Sequence, residues 1–221
     1  MRFTRCVVPD VILIEPEVHG DERGYFVETF RKDKFEEFVG FGINFCQDNE
    51  SKSKYGVLRG LHYQLPPFAQ SKLIRVISGS ILDIALDIRI DSPTFGQHVA
   101  VKLDSISKHQ LFIPRGFAHG FVTLSDEAIF AYKVDNYYSK PHDRGIAFND
   151  TALGIDWLLK SEELILSGKD TISPPASFCR AKRESIRSFK SSDCSASIPS
   201  VLKIKDTLMS QRASAIKGGR S

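Results

Sequence analysis

Residues 72–90 read KLIRVISGSILDIALDIRI, two short apolar runs separated by the turn dipeptide Ser78-Gly79. Neither run has the 3.6-residue periodicity of an amphipathic helix, so both are predicted to be strands. Similar runs recur at intervals of about 8–12 residues, namely Gly24–Phe30, Lys72–Ile77, Ile81–Ile90, Gln97–Leu103, Gln110–Ile113, Phe117–Leu124 and Ala128–Val134. This spacing predicts an all-β sandwich or barrel, and a jelly roll that can hold a small ligand fits best.

The composition is that of a globular protein. Of the 221 residues, 42% are hydrophobic and 26% are charged, which excludes wholesale disorder and collagen-like repeats. No apolar run is long enough to span a bilayer, and Val11–Ile14 is too short for a secretory signal, so a cytoplasmic protein is expected. Helical periodicity is limited to Lys32–Val39, predicted as one short helix, and Ala152–Leu159, predicted as a turn or two.

The chain changes character after Ser173–Pro175. Residues 1–174 carry a net charge of −4, and residues 175–221 carry +7. We therefore predict a folded domain over residues 1–172 and a basic C-terminal extension over residues 173–221, disordered or loosely attached, with a weakly amphipathic stretch at Ile198–Met209. The extension has no nucleic-acid-binding motif, so neither nucleic acid nor membrane is expected as a partner.

The four cysteines are widely spaced and contain no CxxC pair. In a chain of this length they predict free thiols rather than a disulfide framework or a zinc site. They are Cys6, Cys46, Cys179 and Cys194.

One polar segment places a titratable base near two cations, Arg59 and Lys72, with His62 between them. Histidine suits proton abstraction near neutral pH, arginine suits contact with a phosphate, and lysine suits a developing oxyanion. The alternative is a structural histidine beside two surface cations. On a regular strand, one face would carry Leu58, Gly60 and His62, and the opposite face would carry Arg59, Leu61 and Tyr63. A bulge at Gly60 would interrupt this alternation.

A second polar segment runs from Ile113 to Phe121. Its P-x-G-x-x-H turn, which ends at His119, resembles the second conserved motif of cupins, where the histidine is a metal ligand. The first cupin motif needs an H-x-H pair, and here His62 is followed by Tyr63 and Gln64. Two histidines without a third ligand make a poor metal site. We therefore expect a cupin-type barrel without a metal.

A third segment, Tyr132–Tyr138, also carries polar chemistry. Alternation places Tyr132, Val134 and Asn136 on one face of the predicted strand. A tyrosine that faces a barrel interior suits the role of a general acid, and the alternative is a packing role.

Together these segments resemble the dTDP-4-dehydrorhamnose 3,5-epimerase family over about residues 1–170. The resemblance implies a cupin-type jelly roll, a dTDP-4-keto-6-deoxy sugar substrate, no metal or organic cofactor, and a homodimer with exchanged N-terminal strands. It is carried by motifs in a fixed order: Gly20–Glu28, Gln47–Asn49, Gly56–Gln64, Lys72–Val76, Asp83, Asp87–Arg89, Ser92–Gly96, Ile113–Phe121 and Tyr132–Tyr138.

The reaction implied by the resemblance inverts C3 and C5 of the 4-keto sugar through enolates. By resemblance, His62 matches the base, Tyr132 matches the acid, and Lys72 matches the residue that stabilises the enolate oxygen. A carboxylate orients the family's base, and Asp170 in the stretch Ser167-Gly168-Lys169-Asp170 matches it. Asp83 on a central strand is an alternative partner for His62, and the sequence does not rank the two.

The resemblance also implies substrate-binding roles. Arg59 matches a diphosphate contact, and Tyr138 matches a residue that stacks on the thymine ring. Phe26 and Glu28 match positions near the thymidine that the partner subunit contributes. The remaining matched polar contacts are Arg23, Gln47, Asn49 and His119.

Three other functions stay open at this point. A single-centre epimerase of another deoxysugar pathway would share the same base and acid. A non-catalytic sugar-nucleotide binding protein is disfavoured, because binding alone requires no acid and base on opposite faces. A 3,4-ketoisomerase is a weaker option. The departures from the family are Phe148 and Thr151 in place of Trp and Pro, Leu158 in place of Pro, and about forty additional C-terminal residues.

Overall fold

A computed structural model describes residues 1–176 of the chain. This part contains thirteen strands and two short α-helices, with single 3₁₀ turns at Lys140–His142, Thr151–Leu153 and Ser161–Glu163. The strands are β1 (Arg2–Arg5), β2 (Ile12–Glu15), β3 (Val18–Asp21), β4 (Gly24–Val27), β5 (Gln47–Lys54), β6 (Leu58–Gln64), β7 (Lys72–Ser78), β8 (Ser80–Asp87), β9 (His98–Asp104), β10 (Gln110–Ile113), β11 (Phe117–Thr123), β12 (Glu127–Val134) and β13 (Asp143–Gly145), and the helices are α1 (Lys32–Val39) and α2 (Gly168–Thr171).

The strands form two large antiparallel sheets and a separate hairpin. The six-stranded sheet has the order β1-β2-β10-β7-β12-β5, and the five-stranded sheet has the order β13-β6-β11-β8-β9. The hairpin pairs β3 with β4 and stands apart from both sheets. Strands that follow one another in sequence often lie in different sheets, as β7 and β8 do. The predicted all-β, cupin-type jelly roll is confirmed.

Apolar side chains between the two sheets form the central core. Ile74 and Phe130 of the six-stranded sheet pack in one cluster with Ile81 and Phe121 of the five-stranded sheet. Strand β8 is buried almost throughout, which explains its nearly continuous apolar sequence. Full burial of each such side chain stabilises the fold by about 1.5–3 kcal/mol.

Two further clusters cover the outer faces of the sandwich. Helix α1 places Phe35 and Val39 against strands of the six-stranded sheet. The C-terminal segment places Trp157 against the five-stranded sheet, where it packs with Leu61 and Ile84. These covers leave the polar residues at one end of the sandwich as the place where a ligand can enter the interior.

The predicted helix at Lys32–Val39 is confirmed with the same bounds. Gly40 ends it in the left-handed conformation, with φ of 82°, and donates its N–H to Glu36. The second predicted helical segment, Ala152–Leu159, is only partly helical. Its 3₁₀ turn ends at Leu153, because Gly154 takes a left-handed conformation with φ of 59°.

Residues 173–176 remain attached to the domain. The amide of Ala147 donates to the carbonyl of Pro174, and the amide of Ala176 donates to Asp150 at 2.7 Å. The predicted extension from residue 177 onward, with Cys179, Cys194 and the stretch Ile198–Met209, lies outside the described residues. Cys6 and Cys46 are free thiols. No helix of residues 1–176 is long and apolar enough to cross a membrane.

Candidate active site

A cavity of about 150 Å³ opens where β6 and β12 end and β7 and β11 begin. Both sheets contribute to its walls, so its side chains come from distant parts of the sequence. The lining residues are His62, Tyr63, Gln64, Gln70, Lys72, Gly116, Phe117, Tyr132, Tyr138 and Asp143. Three residues predicted to be catalytic, His62, Lys72 and Tyr132, therefore meet at one cavity.

A bulge in β6 directs His62 into this cavity. His62 on β6 pairs with His119 on β11, and Arg59 on β6 pairs with Phe121 on β11. Between these two pairs, two residues of β6 stand opposite one residue of β11, which defines a bulge. The expected alternation is interrupted, and Leu58 and Leu61 both enter the apolar cluster on the outer side of the sheet. The sharing of one face by Leu58, Gly60 and His62, expected for a regular strand, does not hold.

Glycine is required at the bulge because two backbones approach closely there. Gly60 has φ of 132°, and a Cβ atom at this position would lie 2.5 Å from the Cα of Gly120. Any side chain would therefore force β6 away from β11.

Asp170 supports His62 from behind. Nε2 of His62 lies 2.7 Å from Oδ1 of Asp170, whose side chain is 2% exposed. The hydroxyl of Ser167 donates to the other carboxylate oxygen at 2.6 Å, and the amide of Gly60 donates to Oδ1 at 3.2 Å. Burial acts to raise the pKa of Asp170, but the contacts with His62 and Ser167 outweigh it and lower the pKa to about 2. A charged carboxylate therefore faces the imidazole at neutral pH.

Asp83, the alternative partner for His62, contacts a different histidine. Its Oδ2 lies 2.9 Å from Nε2 of His119. On the other side of that ring, Nζ of Lys72 lies 3.4 Å from Nδ1. Burial lowers the pKa of Lys72 to about 8, and the charge of Asp83 opposes this effect.

Tyr132 enters the cavity from the wall opposite His62. It belongs to β12 of the six-stranded sheet, whereas His62 belongs to β6 of the five-stranded sheet. Its ring stacks on Phe130, with centroids 5.5 Å apart. Burial raises the pKa of the phenol, and the charge of Arg59 acts in the opposite direction. The tyrosine is therefore protonated at neutral pH and can donate a proton.

The residues predicted to bind substrate fall into two groups, five within the sandwich and three on or beside the hairpin. Of the first five, Tyr138 lines the cavity and His119 contacts Lys72 and Asp83, whereas Gln47, Asn49 and Arg59 do not line it. Gln47 and Asn49 are hydrogen-bonded to each other at 2.7 Å on β5, and Asn49 stands directly opposite Tyr132. Arg59 donates to Ser53 at 3.2 Å. Tyr138 stands at the cavity, 58% exposed.

The second group lies on or beside the hairpin, away from the cavity of its own chain. Arg23 pairs with Asp21 at 2.5 Å, and Glu28 lies 3.4 Å from Arg31. The side chain of Phe26 is 68% exposed. In the described part of the chain, residues 1–176, none of these three residues lines the cavity that contains His62.

Sequence reasoning missed four polar residues of the site, namely Gln64, Gln70, Asp143 and Lys169. Asp143 lines the cavity, accepts a hydrogen bond from Tyr138 at 3.0 Å and contacts Lys169. The signal for Lys169 was its place next to Asp170. Asp143 gave no local signal, because its neighbours come from elsewhere in the chain. Within residues 1–176, no group of three or more His, Cys, Asp or Glu side chains could hold a metal ion.

A histidine beside a carboxylate, a lysine and a tyrosine at one cavity of a jelly roll are groups suited to an enzyme that transfers protons. The family model described as dTDP-4-dehydrorhamnose 3,5-epimerase matches residues 5–177. The chain belongs to this family.

Individual relatives agree with the family model. A dTDP-4-dehydrorhamnose 3,5-epimerase of Shigella flexneri is 53% identical over 170 residues, which are 77% of this chain and 93% of the relative. The crystal structure of a dTDP-6-deoxy-D-glucose-3,5-epimerase of Legionella pneumophila, in complex with dTDP-4-keto-L-rhamnose, is 44% identical. That comparison has a TM-score of 0.77 and covers 80% of this chain and 93% of the other. A 3′-monoepimerase of Streptomyces bikiniensis, in complex with dTDP-quinovose, is 29% identical, with a TM-score of 0.74 and coverage of 80% and 88%.

Replacing Asp170 by Asn should weaken the dependence of the free energy of unfolding on pH in the acid range, relative to the wild type. The pKa of Asp170 is depressed in the folded state, so its stabilising effect is present above the unfolded value near 4 and is lost as the pH falls toward 2. We expect the wild type to exceed Asp170→Asn by roughly 2 kcal/mol in free energy of unfolding at pH 7, with the difference shrinking between about pH 4 and pH 2. Urea denaturation at several pH values measures it. The exposed Asp91→Asn is the control, and a pH-independent difference for Asp170→Asn would contradict the prediction.

Proposed function

We propose that this chain is the enzyme that inverts both C3 and C5 of dTDP-4-dehydro-6-deoxy-D-glucose, giving dTDP-4-dehydro-L-rhamnose. The observation that carries the proposal is the placement of a carboxylate-supported histidine and a protonated tyrosine on opposite walls of one cavity. Inversion of a carbon centre needs such an arrangement, because the proton must leave from one face of the sugar and return to the other.

His62 acts as the base in this mechanism. Nε2 of His62 lies 2.7 Å from the charged carboxylate of Asp170, and this contact favours the tautomer with the hydrogen on Nε2 and the lone pair on Nδ1. Nδ1 removes a proton from the carbon next to the C4 carbonyl, and the electron pair of the C–H bond moves into the enolate. The negative charge of Asp170 stabilises the imidazolium that forms.

Lys72 and Tyr132 complete the inversion. The ammonium group of Lys72 stabilises the negative charge on the C4 oxygen of the enolate. Tyr132 then gives its hydroxyl proton to the opposite face of the carbon, and the C4 carbonyl forms again. The tyrosinate takes a proton from water and His62 loses its proton to water, so the sites are reset for the second centre.

Two observations favour inversion at two centres over one. The relative from Shigella flexneri, named as a 3,5-epimerase, is 53% identical, whereas the single-centre enzyme from Streptomyces bikiniensis is 29% identical. The test is incubation with dTDP-4-dehydro-6-deoxy-D-glucose in deuterated water, followed by NMR and by passing the product to a 4-reductase. Deuterium at C3 and C5 with an L-sugar product supports the proposal. Label at only one carbon indicates a single-centre epimerase, and no label with dTDP bound indicates a binding protein.

We also propose a homodimer in which each hairpin completes the partner's site. Arg23, Phe26 and Glu28 lie on or beside a hairpin whose side chains are exposed and which stands apart from both sheets of its own chain. An exposed aromatic residue beside charged groups is typical of a surface that contacts another chain.

We further propose that the catalytic domain spans residues 1–172 and that residues 173–221 are an appended segment. The proposed location of the protein is the cytoplasm.

Replacing His62 by Ala should abolish exchange of the C3 and C5 protons with solvent, because in the proposed mechanism the imidazole removes both protons. Binding of dTDP should stay within about threefold of wild type, because the imidazole acts on the sugar. NMR of the deuterated sugar and calorimetry with dTDP measure the two effects. His109→Ala, outside the cavity, should exchange normally. Exchange at the wild-type rate in His62→Ala would remove His62 as the base.

Replacing Tyr132 by Phe should separate exchange from inversion. His62 can still remove a proton and return one to the same face, so some deuterium should enter the sugar. Net inversion should fall by at least about 100-fold, in the range found for loss of a general acid. The ratio of deuterium incorporation to L-sugar formation measures the effect, with the exposed Tyr137→Phe as the control. An unchanged ratio at the wild-type rate would show that Tyr132 is not the acid.

The hairpin exchange predicts complementation between two impaired chains. Arg23→Ala should weaken turnover because the site loses a polar contact, and His62→Ala lacks the base. A heterodimer of these variants, isolated with two different tags, contains one site with an intact His62 and an intact Arg23 only if the hairpins are exchanged. We expect about half of the wild-type activity per dimer. A heterodimer that is no more active than the two variant homodimers would contradict the exchange.

A further inference from the structure

The proposed reaction leaves one buried carboxylate unused. Asp83 on β8 is completely buried, and its Oδ2 contacts Nε2 of His119 at 2.9 Å. Its other oxygen, Oδ1, has no hydrogen-bond partner within residues 1–176. A buried carboxylate requires compensating positive charge. Burial lowers the pKa of Lys72, and among the charges that oppose this effect Asp83 acts most strongly. Lys72 therefore supplies the compensating charge for Asp83.

The two contacts of His119 fix the position of its ring proton. A carboxylate only accepts hydrogen bonds, so the ring nitrogen that faces Asp83, Nε2, carries the hydrogen. Burial lowers the pKa of His119, so the ring is neutral and its Nδ1 carries only a lone pair. Nζ of Lys72 lies 3.4 Å from this Nδ1, and an ammonium group only donates. One tautomer of His119 satisfies both neighbours, and the opposite tautomer satisfies neither.

We propose that Asp83 is a positioning residue. It acts through His119 to hold Lys72 as an oriented ammonium group at the oxyanion site. One N–H of Lys72 is directed to His119, and the other two remain for the C4 oxygen of the substrate. This inference rests on the proposed function. It gives Asp83 a task distinct from the orientation of the base, which Asp170 performs.

Other charged and titratable groups also face Lys72. Asp143 on β13 raises the pKa of Lys72, and Lys169 on α2 lowers it. The same cavity is lined by His62 and Tyr63 on β6, by Tyr132 on β12 and by Tyr138. These groups are unchanged when Asp83 is replaced, so a variant at Asp83 reports on its own connection to Lys72.

Replacing Asp83 by Asn tests the proposal with almost no change in shape. The substitution removes the negative charge, and the amide N–H can donate to Nε2 of His119, which turns an N–H of the ring toward Lys72. Both changes favour the neutral lysine. We expect the alkaline limb of the kcat/KM profile to move to lower pH by about one unit or more. At pH 8 kcat should fall at least about fivefold, with KM changed less than threefold. A uniform loss of activity with the limb at its wild-type pH would overturn the proposal.

Asp87→Asn is the matched control. Asp87 is an equally buried carboxylate of the same strand, but its partners are Arg89, Ser92 and Thr94. The alkaline limb should stay at the wild-type pH in this variant, because its position does not depend on the fraction of folded protein. A shift as large as that of Asp83→Asn would assign the effect to loss of buried charge in general and overturn the proposal.

A second readout does not depend on activity. The ¹⁵N chemical shifts of labelled histidine distinguish the two tautomers, and the His119 signals are assigned by their loss in His119→Gln. The wild type should carry the hydrogen on Nε2, and this pattern should be lost in Asp83→Asn. Active wild-type enzyme with the hydrogen on Nδ1 would overturn the positioning role. Wild-type protein that exchanges neither C3 nor C5 would instead overturn the proposed function, whatever the tautomer.

Discussion

The packing of the two sheets against each other is the constraint on which the site depends. Phe121 of one sheet and Phe130 of the other meet edge to face, with ring centroids 4.4 Å apart, and both are buried. Packed sheets lie about 10 Å apart, so polar side chains at the end of the apolar layer face each other across a gap. His62 and Tyr132 occupy opposite walls of that gap. The fold thus sets the stereochemical course of the proposed reaction before any substrate binds.

Three carboxylates at the polar end of the sandwich each contact a histidine or a lysine. Asp170 faces His62, Asp83 faces His119, and Asp143 contacts Lys169. Such contacts are strong in a site of low dielectric, and a buried charge without them would destabilise the fold. The same contacts prepare the chemistry, because they orient the imidazole and hold the pKa of Asp170 well below its ordinary value. Stability and function therefore place related demands on these residues.

Local sequence pattern predicted strands β4 and β7 to β12 and helix α1, because alternation and periodicity depend on nearby residues. It named a bulge at Gly60 as an alternative but could not decide it, because the bulge depends on close contact with Gly120 on a neighbouring strand. Local sequence pattern also could not choose between Asp170 and Asp83 as the partner of His62, because α2 contacts β6 although more than a hundred residues separate them in the sequence. Asp143 was missed for the same reason. Assignment of base, acid and oxyanion roles came from resemblance to a family, and spacing alone left a structural histidine as an alternative.

The proposed reaction requires the acid and the base to meet the sugar on opposite faces. A crystal structure of the protein with a dTDP-6-deoxyhexose that lacks the C4 carbonyl, and so cannot react, tests it most directly. We expect His62 on one face of the pyranose ring, the Tyr132 hydroxyl on the other, and Nζ of Lys72 within hydrogen-bond distance of the C4 substituent. A complex with His62 and Tyr132 on the same face of the ring, or with the sugar bound outside this cavity, would contradict the proposed mechanism.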